Sequence, residues 1–190
     1  MQKKVLIIDN YDSFTYNLVH LINEVGQEAE VWRNDKFEMA DVDQFDKIVL
    51  SPGPGIPEEA GQLLELIKTY APTKSIFGVC LGQQAIAEAF GGTLLNLGRP
   101  MHGIATPISV TDAEELLFKD MPEQFKVGRY HSWVVSNENL PSCLKVTASD
   151  ENQQIMALRH AELDVRGVQF HPESVLTENG RQMMKNWLEA

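Results

Sequence analysis

Gly78-Val79-Cys80-Leu81-Gly82 sets one cysteine between two glycines, at the end of the apolar run Ile76-Phe77-Gly78-Val79. That spelling suits a strand that turns sharply into a helix and lifts the middle side chain into a crevice. A thiol held there, at the positive end of the following helix, is placed for attack as a thiolate. Such a nucleophile needs a base, and the base needs a group to orient it. Of the five histidines, His171 follows Val168-Gln169-Phe170 and is separated from Glu173 by Pro172 alone. In an extended segment, positions i and i+2 share a face, so Glu173 is expected to hold the imidazole while His171 faces Cys80. Pro172 has no N–H and stiffens the pair. Ser51-Pro52-Gly53-Pro54-Gly55 follows another apolar run. Its prolines remove donors and its glycines permit close approach, which leaves few, aimed N–H groups. N–H groups of that loop, with that of Leu81 after the cysteine as a second donor, are expected to hold an oxyanion.

Taken singly, each feature has a plain structural reading. Most cysteines are small buried hydrophobes, and Pro/Gly loops are usually turns. The conjunction of nucleophile, base, orienting carboxylate and rigid loop is what points to acyl transfer. Cys143 has no glycine context and reads as structural. His20 falls in a helical pattern, and His160 in a polar turn at the end of a strand.

The elements that must position these residues alternate in type. Val5-Leu6-Ile7-Ile8 reads as a strand buried on both faces. Phe14, Leu18, Leu21, Ile22 and Val25 give a helical spacing stopped by Gly26. Strands are expected at 28–32, 47–50 and 76–79, and helices through Leu63, Leu64, Ile67 and Tyr70 and through Ala85, Ile86, Ala89 and Phe90. Strand alternating with helix implies a parallel sheet with right-handed crossovers. In such sheets ligands bind beyond the carboxyl ends of the strands, where the cysteine turn lies. After Gly92 the pattern changes to short extended stretches at 105–110, 125–130, 144–148, 155–159 and 165–170, read as antiparallel strands. A last helix covers roughly 178–189. The expected fold is α/β: a flavodoxin-like three-layer sandwich, mostly parallel, with added antiparallel strands. No linker or repeat divides 1–190, so a single domain is expected.

The formal net charge is −11. An acidic surface repels phosphate backbones, so a nucleic-acid partner is not expected. Two cysteines in 190 residues argue against a disulfide framework and for a reduced compartment. The N-terminal apolar run is too short for a signal peptide, and none reaches the roughly 18 residues of a membrane helix. A cytoplasmic protein with no membrane partner is expected.

Three segments together resemble the class I glutamine amidotransferases, in order and over essentially the whole chain. They are Leu50-Ser51-Pro52-Gly53-Pro54-Gly55, Gly78-Val79-Cys80-Leu81-Gly82-Gln83-Gln84 and Gln169-Phe170-His171-Pro172-Glu173-Ser174. Asp9-Asn10-Tyr11-Asp12-Ser13-Phe14-Thr15, Arg129-Tyr130-His131-Ser132 and His171-Pro172-Glu173-Ser174-Val175-Leu176-Thr177 look like the subunits serving chorismate-using synthases, which make anthranilate or aminodeoxychorismate. The resemblance implies that Cys80 attacks the side-chain amide of L-glutamine. His171, oriented by Glu173, passes the proton, and Gly53 and Leu81 hold the oxyanion. It implies glutamine contacts from Gly53, Pro54, Gly55, Gln84, Ser132 and Trp133. It also implies a chorismate-binding partner subunit carrying Mg²⁺, anthranilate synthase first and aminodeoxychorismate synthase second, with no cofactor or metal in this chain. Three positions depart from the family pattern. Gln83 stands where many relatives have histidine. Ile104 stands in place of a frequent lysine after His102-Gly103, a segment expected near the partner. Trp133 replaces a common leucine.

Other classes explain less. Asp9 and Asp12 would repel the phosphate of a flavin, and no glycine-rich fingerprint accompanies them. A peptidase or a redox-sensing thiol protein uses an elbow cysteine but leaves the Pro-Gly loop and the His-Pro-Glu segment unaccounted for. An intact Cys80, His171 and Glu173 argue against a catalytically silent regulatory subunit.

Overall fold

The computed structural model describes residues 3–190. The apolar runs form the strands β1 (Val5–Asp9), β3 (Lys47–Leu50) and β4 (Ser75–Val79), with β2 (Ala29–Arg33) at the edge. Between them lie helices α1 (Thr15–Glu24) and α2 (Leu63–Tyr70), and α3 (Leu81–Ala89) follows β4. The second half supplies β5 (Leu94–Asn96), β6 (Ile104–Val110), β7 (Gln124–Arg129), β8 (Trp133–Val135), β9 (Leu144–Ser149), β10 (Ile155–His160) and β11 (Val165–Val168), closed by helix α4 (Gly180–Glu189).

The main sheet has nine strands in the order β2-β1-β3-β4-β11-β10-β9-β6-β7, and β5 pairs with β8 apart from it. Its first five strands are parallel and the rest antiparallel. Side chains alternate across it. Val5, Ile7, Val49, Phe77 and Val79 pack with α1 and α4 through Leu18, Leu21, Ile22, Met183, Met184 and Trp187. Leu6, Ile8, Ile48, Leu50 and Ile76 pack with α2 and α3 through Leu63, Leu66, Ile67, Ala85 and Ile86. Both faces are covered, which is why these strands are continuous apolar runs. The result is the expected three-layer α/β sandwich with a flavodoxin-like parallel core.

Two expectations need correction. The second half is not wholly antiparallel: β11 inserts beside β4 in parallel register, with Val168 opposite Val79. The strand also stops at Val168, so 169–173 is not extended. The chain turns instead, and the Ser174 N–H donates to the His171 carbonyl at 3.1 Å. Gly128, next to this turn, leaves room for it: a Cβ there would lie 2.9 Å from Ser174 Oγ. A single interior insertion in the sheet carries no periodicity of its own, so β11 reads like its antiparallel neighbours.

The sheet order reverses between β1 and β3, which places a crevice at their carboxyl ends. There the Asn10 N–H donates to Ser51 Oγ at 2.9 Å, and its side-chain amide donates to the Ser51 carbonyl at 2.8 Å. These buried bonds clamp the loop after β1 to the Ser51–Gly55 loop.

Candidate active site

Cys80 links β4 to α3 with φ 54° and ψ −103°, a conformation that L-residues avoid. The strain is held from both sides. The Cys80 N–H donates to the Val168 carbonyl at 2.8 Å, and the Cys80 carbonyl accepts from the Gln84 N–H at 3.1 Å. The flanking glycines are required by contact: a Cβ on Gly78 would sit 2.5 Å from the Gly82 carbonyl carbon, and one on Gly82 would sit 2.5 Å from the Leu50 oxygen. The helix thus starts against the backbones of β3 and β4 and lifts the sulfur to the crevice. Gly53 is packed as tightly, with room for no Cβ between Asn10 and the Leu81 side chain. The two expected oxyanion donors are therefore brought to the same edge of the sheet.

His171 and Glu173 meet as expected, though by a turn and not by an extended strand. His171 Nδ1 lies 2.6 Å from Glu173 Oε1, and both side chains are buried. Phe14 and Tyr130 pack edge-on against the imidazole at 5.2 and 4.9 Å between centroids. His171 Nε2 closes no hydrogen bond to a described residue, yet its ring lies in electrostatic contact with the Cys80 thiol. Burial works against a charged ring, but Cys80 and Glu173 outweigh it and push the His171 pKa up to about 10.

That shift has a sign. Between about pH 6.5 and 10 the folded chain holds a proton that unfolded chain has released. The contribution to stability is full below about pH 6.5 and is lost as pH rises through about 10. Glu173→Gln keeps the size and removes the charge. Its stability deficit against the parent, from urea unfolding, is expected to be largest below about pH 6.5 and to narrow towards pH 10. A deficit that does not change with pH would contradict the assignment.

A cavity of about 260 Å³ opens in front of Cys80. Its lining includes Gly53, Pro54, Gly55, Gln84, Ser132 and Trp133. All six residues expected to contact glutamine therefore surround one space, large enough for a free amino acid. His102 and Met101 form part of its rim, and Ile104 is exposed nearby in sequence. Leu81, His171 and Glu173 do not line the cavity, whose wall at this point is Cys80 itself. Gln83, the departure beside the nucleophile, is fully buried and faces Gly167 of β11. Among the described residues, no cluster of three or more His, Cys, Asp or Glu side chains is arranged to hold a metal. No helix among them is long and apolar enough to cross a membrane.

Sequence reasoning missed the polar group behind Ser132 and Trp133. Arg129 pairs with Asp150 at 2.8 Å, both nearly inaccessible to solvent, and donates to Gln154 Oε1 at 2.6 Å. Its Nε donates to His131 Nε2 at 3.1 Å. Burial and the Arg129 charge push the His131 pKa down to about 3, so the ring is neutral. Arg129 and His131 stand at alternate positions next to the expected contact residues, which was the one local signal available. Their partners at 150 and 154 gave none.

The fold and crevice define an α/β sandwich with a cysteine at a strained strand-to-helix turn. The chain belongs to the class I glutamine amidotransferases: the family's sequence model, "Glutamine amidotransferase class-I", matches residues 6–190. Aminodeoxychorismate synthase component 2 of Escherichia coli (strain K12) is 48% identical over 186 residues, covering 97% of this chain and 98% of that protein. Aminodeoxychorismate/anthranilate synthase component 2 of Bacillus subtilis (strain 168) is 46% identical over 188 residues, covering 98% and 96%. In three dimensions the chain is similar to a glutamine amidotransferase of Thermotoga maritima, with TM-score 0.72 and 18% identity, covering 100% of this chain and 82% of that one; at that identity the likeness concerns the fold.

Proposed function

We propose that the chain is the glutaminase subunit of a chorismate-using synthase, with anthranilate as the product. The observation that carries the reading is the single constellation at the crevice: a strained elbow cysteine, a His171–Glu173 pair in electrostatic contact with it and a small cavity that it lines. The Cys80 thiolate attacks the γ-carboxamide carbon of L-glutamine. The N–H groups of Gly53 and Leu81 take the oxyanion of the tetrahedral adduct. The C–N bond breaks as protonated His171 delivers its proton to the departing ammonia, leaving a γ-glutamyl thioester. His171 then takes a proton from water, whose oxygen attacks the thioester. Glutamate leaves and the thiolate is restored. Glu173 keeps the imidazole oriented throughout, a role analogous to the buried carboxylate of a serine triad. Gly53, Pro54, Gly55, Gln84, Ser132 and Trp133 position the substrate.

The ammonia passes to a partner subunit that binds chorismate and Mg²⁺. Residues 1–190 act as one domain, in the cytoplasm. A second reading, service to aminodeoxychorismate synthase, is favoured by the name of the 48% identical relative. The double name of the 46% identical relative favours service to both.

The test mixes the purified chain with chorismate, Mg²⁺, glutamine and the large subunit of either synthase in turn. Anthranilate is followed by fluorescence, and ammonium salts replace glutamine in a control. Glutamine-dependent anthranilate supports the first reading. Glutamine-dependent product only with the aminodeoxychorismate partner selects the second. No glutamine-dependent product with either, while both work with ammonia, contradicts the proposal.

A further inference from the structure

Four polar side chains outside the Cys80–His171–Glu173 group form one hydrogen-bonded line that ends on the cysteine sulfur. Its direction is set by groups that have no choice. Arg129 can only donate, so His131 Nε2 accepts from it and the ring proton sits on Nδ1. Nδ1 donates to the Trp133 carbonyl at 3.0 Å. A carbonyl can only accept, so the Gln84 atom 2.8 Å from the same oxygen is the amide nitrogen. Its second hydrogen points at Gln169 Oε1, 3.2 Å away. The Gln169 nitrogen is then left facing Cys80, and it lies 3.4 Å from Sγ.

We infer that Gln169 is a further catalytic residue: its amide donates a hydrogen bond to Cys80 Sγ and favours the sulfur's anionic form, in a direction imposed by the Trp133 carbonyl through Gln84, with His131 and Arg129 holding that carbonyl in place. The inference rests on Cys80 being the nucleophile of the proposed reaction. Gln169 is fully buried and lines no part of the cavity, so it touches the reacting sulfur and not the substrate. A donor aimed at an anion strengthens as charge develops, whereas a neutral thiol gains little from it. Gln84 and His131 act through Gln169 as positioning residues. The Trp133 carbonyl already accepts two bonds, so its orientation is fixed before a ligand arrives.

The test uses the full chain carrying Cys143→Ser, so that Cys80 is the one thiol. Alkylation by iodoacetamide is timed across pH for the parent, Gln169→Met and Gln169→Glu. Gln169→Met keeps the volume and removes the donor; alkylation at pH 7 is expected to slow about tenfold and its pH profile to move upward. Gln169→Glu keeps the bond from Gln84 but sets an acceptor against the sulfur, and is expected to slow alkylation further. With a working partner synthase, kcat for glutamine falls and KM holds. Folded variants with the parental rate and pH profile would overturn the inference. Side-chain amide NMR reads the same contact without altering Gln169: its amide protons shift in Cys80→Ala, and unmoved resonances would also overturn it. Alkylation needs no glutamine turnover, so failure of the glutaminase reading and failure of this inference are seen separately.

Discussion

Replacing Cys80 by alanine is expected to lower glutamine-dependent product formation by about 10⁴-fold or more, with synthesis from ammonium salts unchanged. The magnitude follows from the loss of a covalent route. Without the sulfur, the remaining groups can bind and polarise the amide, but no bond forms that lets ammonia leave at neutral pH. Cys143 offers no substitute, since it lies outside the cavity lined by Cys80. The ammonium control matters because it separates lost chemistry from lost assembly: a misfolded subunit would disturb the partner in both assays. Initial rates of product formation against glutamine and against ammonium, with the alanine variant beside the parent, check the prediction. Retention of more than a few per cent of the glutamine rate would contradict it.

The second large effect is on stability. Asp150→Ala leaves the Arg129 guanidinium buried without its carboxylate, and both side chains of that pair are only 2% exposed. Breaking a buried pair from one side costs about 3–5 kcal/mol, because the remaining charge stays desolvated. For a chain of this length that corresponds to a fall in Tm of roughly 10 °C. Urea unfolding and thermal melts measure it directly. The damage should reach the crevice, since Arg129 Nε also holds His131 and His131 holds the Trp133 carbonyl. A variant that folds is therefore expected to show a raised KM for glutamine. A loss below about 1 kcal/mol would mean that Arg129 is not left desolvated when its carboxylate goes, and would contradict the prediction.

Much of this was legible in the chain because burial on both faces leaves a plain mark. The strands at 5–8, 47–50 and 76–79 were legible as short, nearly continuous apolar runs, and the structure extends the first to Asp9 and starts the last at Ser75. The helix Leu63–Tyr70 was legible from the spacing of Leu63, Leu64, Ile67 and Tyr70, although its buried face carries Leu66 and leaves Leu64 partly buried. The elbow was legible because glycines flank Cys80 where backbones touch. What was not legible depends on partners distant in sequence. Val165–Val168 gives no sign that it enters beside β4 and not beside another antiparallel strand. The short strands β5 and β8 pair across a long gap. His171 and Glu173 were paired for a reason that does not hold, an extended segment, where a turn brings them together. Arg129, Asp150 and Gln169 act through side-chain hydrogen bonds, which leave no period in the sequence.

The acyl intermediate on Cys80 can be trapped directly. The chain, assembled with its synthase partner, is turned over with isotopically labelled glutamine, quenched in acid, digested and examined by mass spectrometry. A labelled γ-glutamyl adduct is expected on the peptide bearing Cys80, removed by hydroxylamine as a thioester should be, and absent from Cys80→Ala. Label on another residue, or glutamine hydrolysis that proceeds with Cys80 never acylated, would contradict Cys80 as the nucleophile.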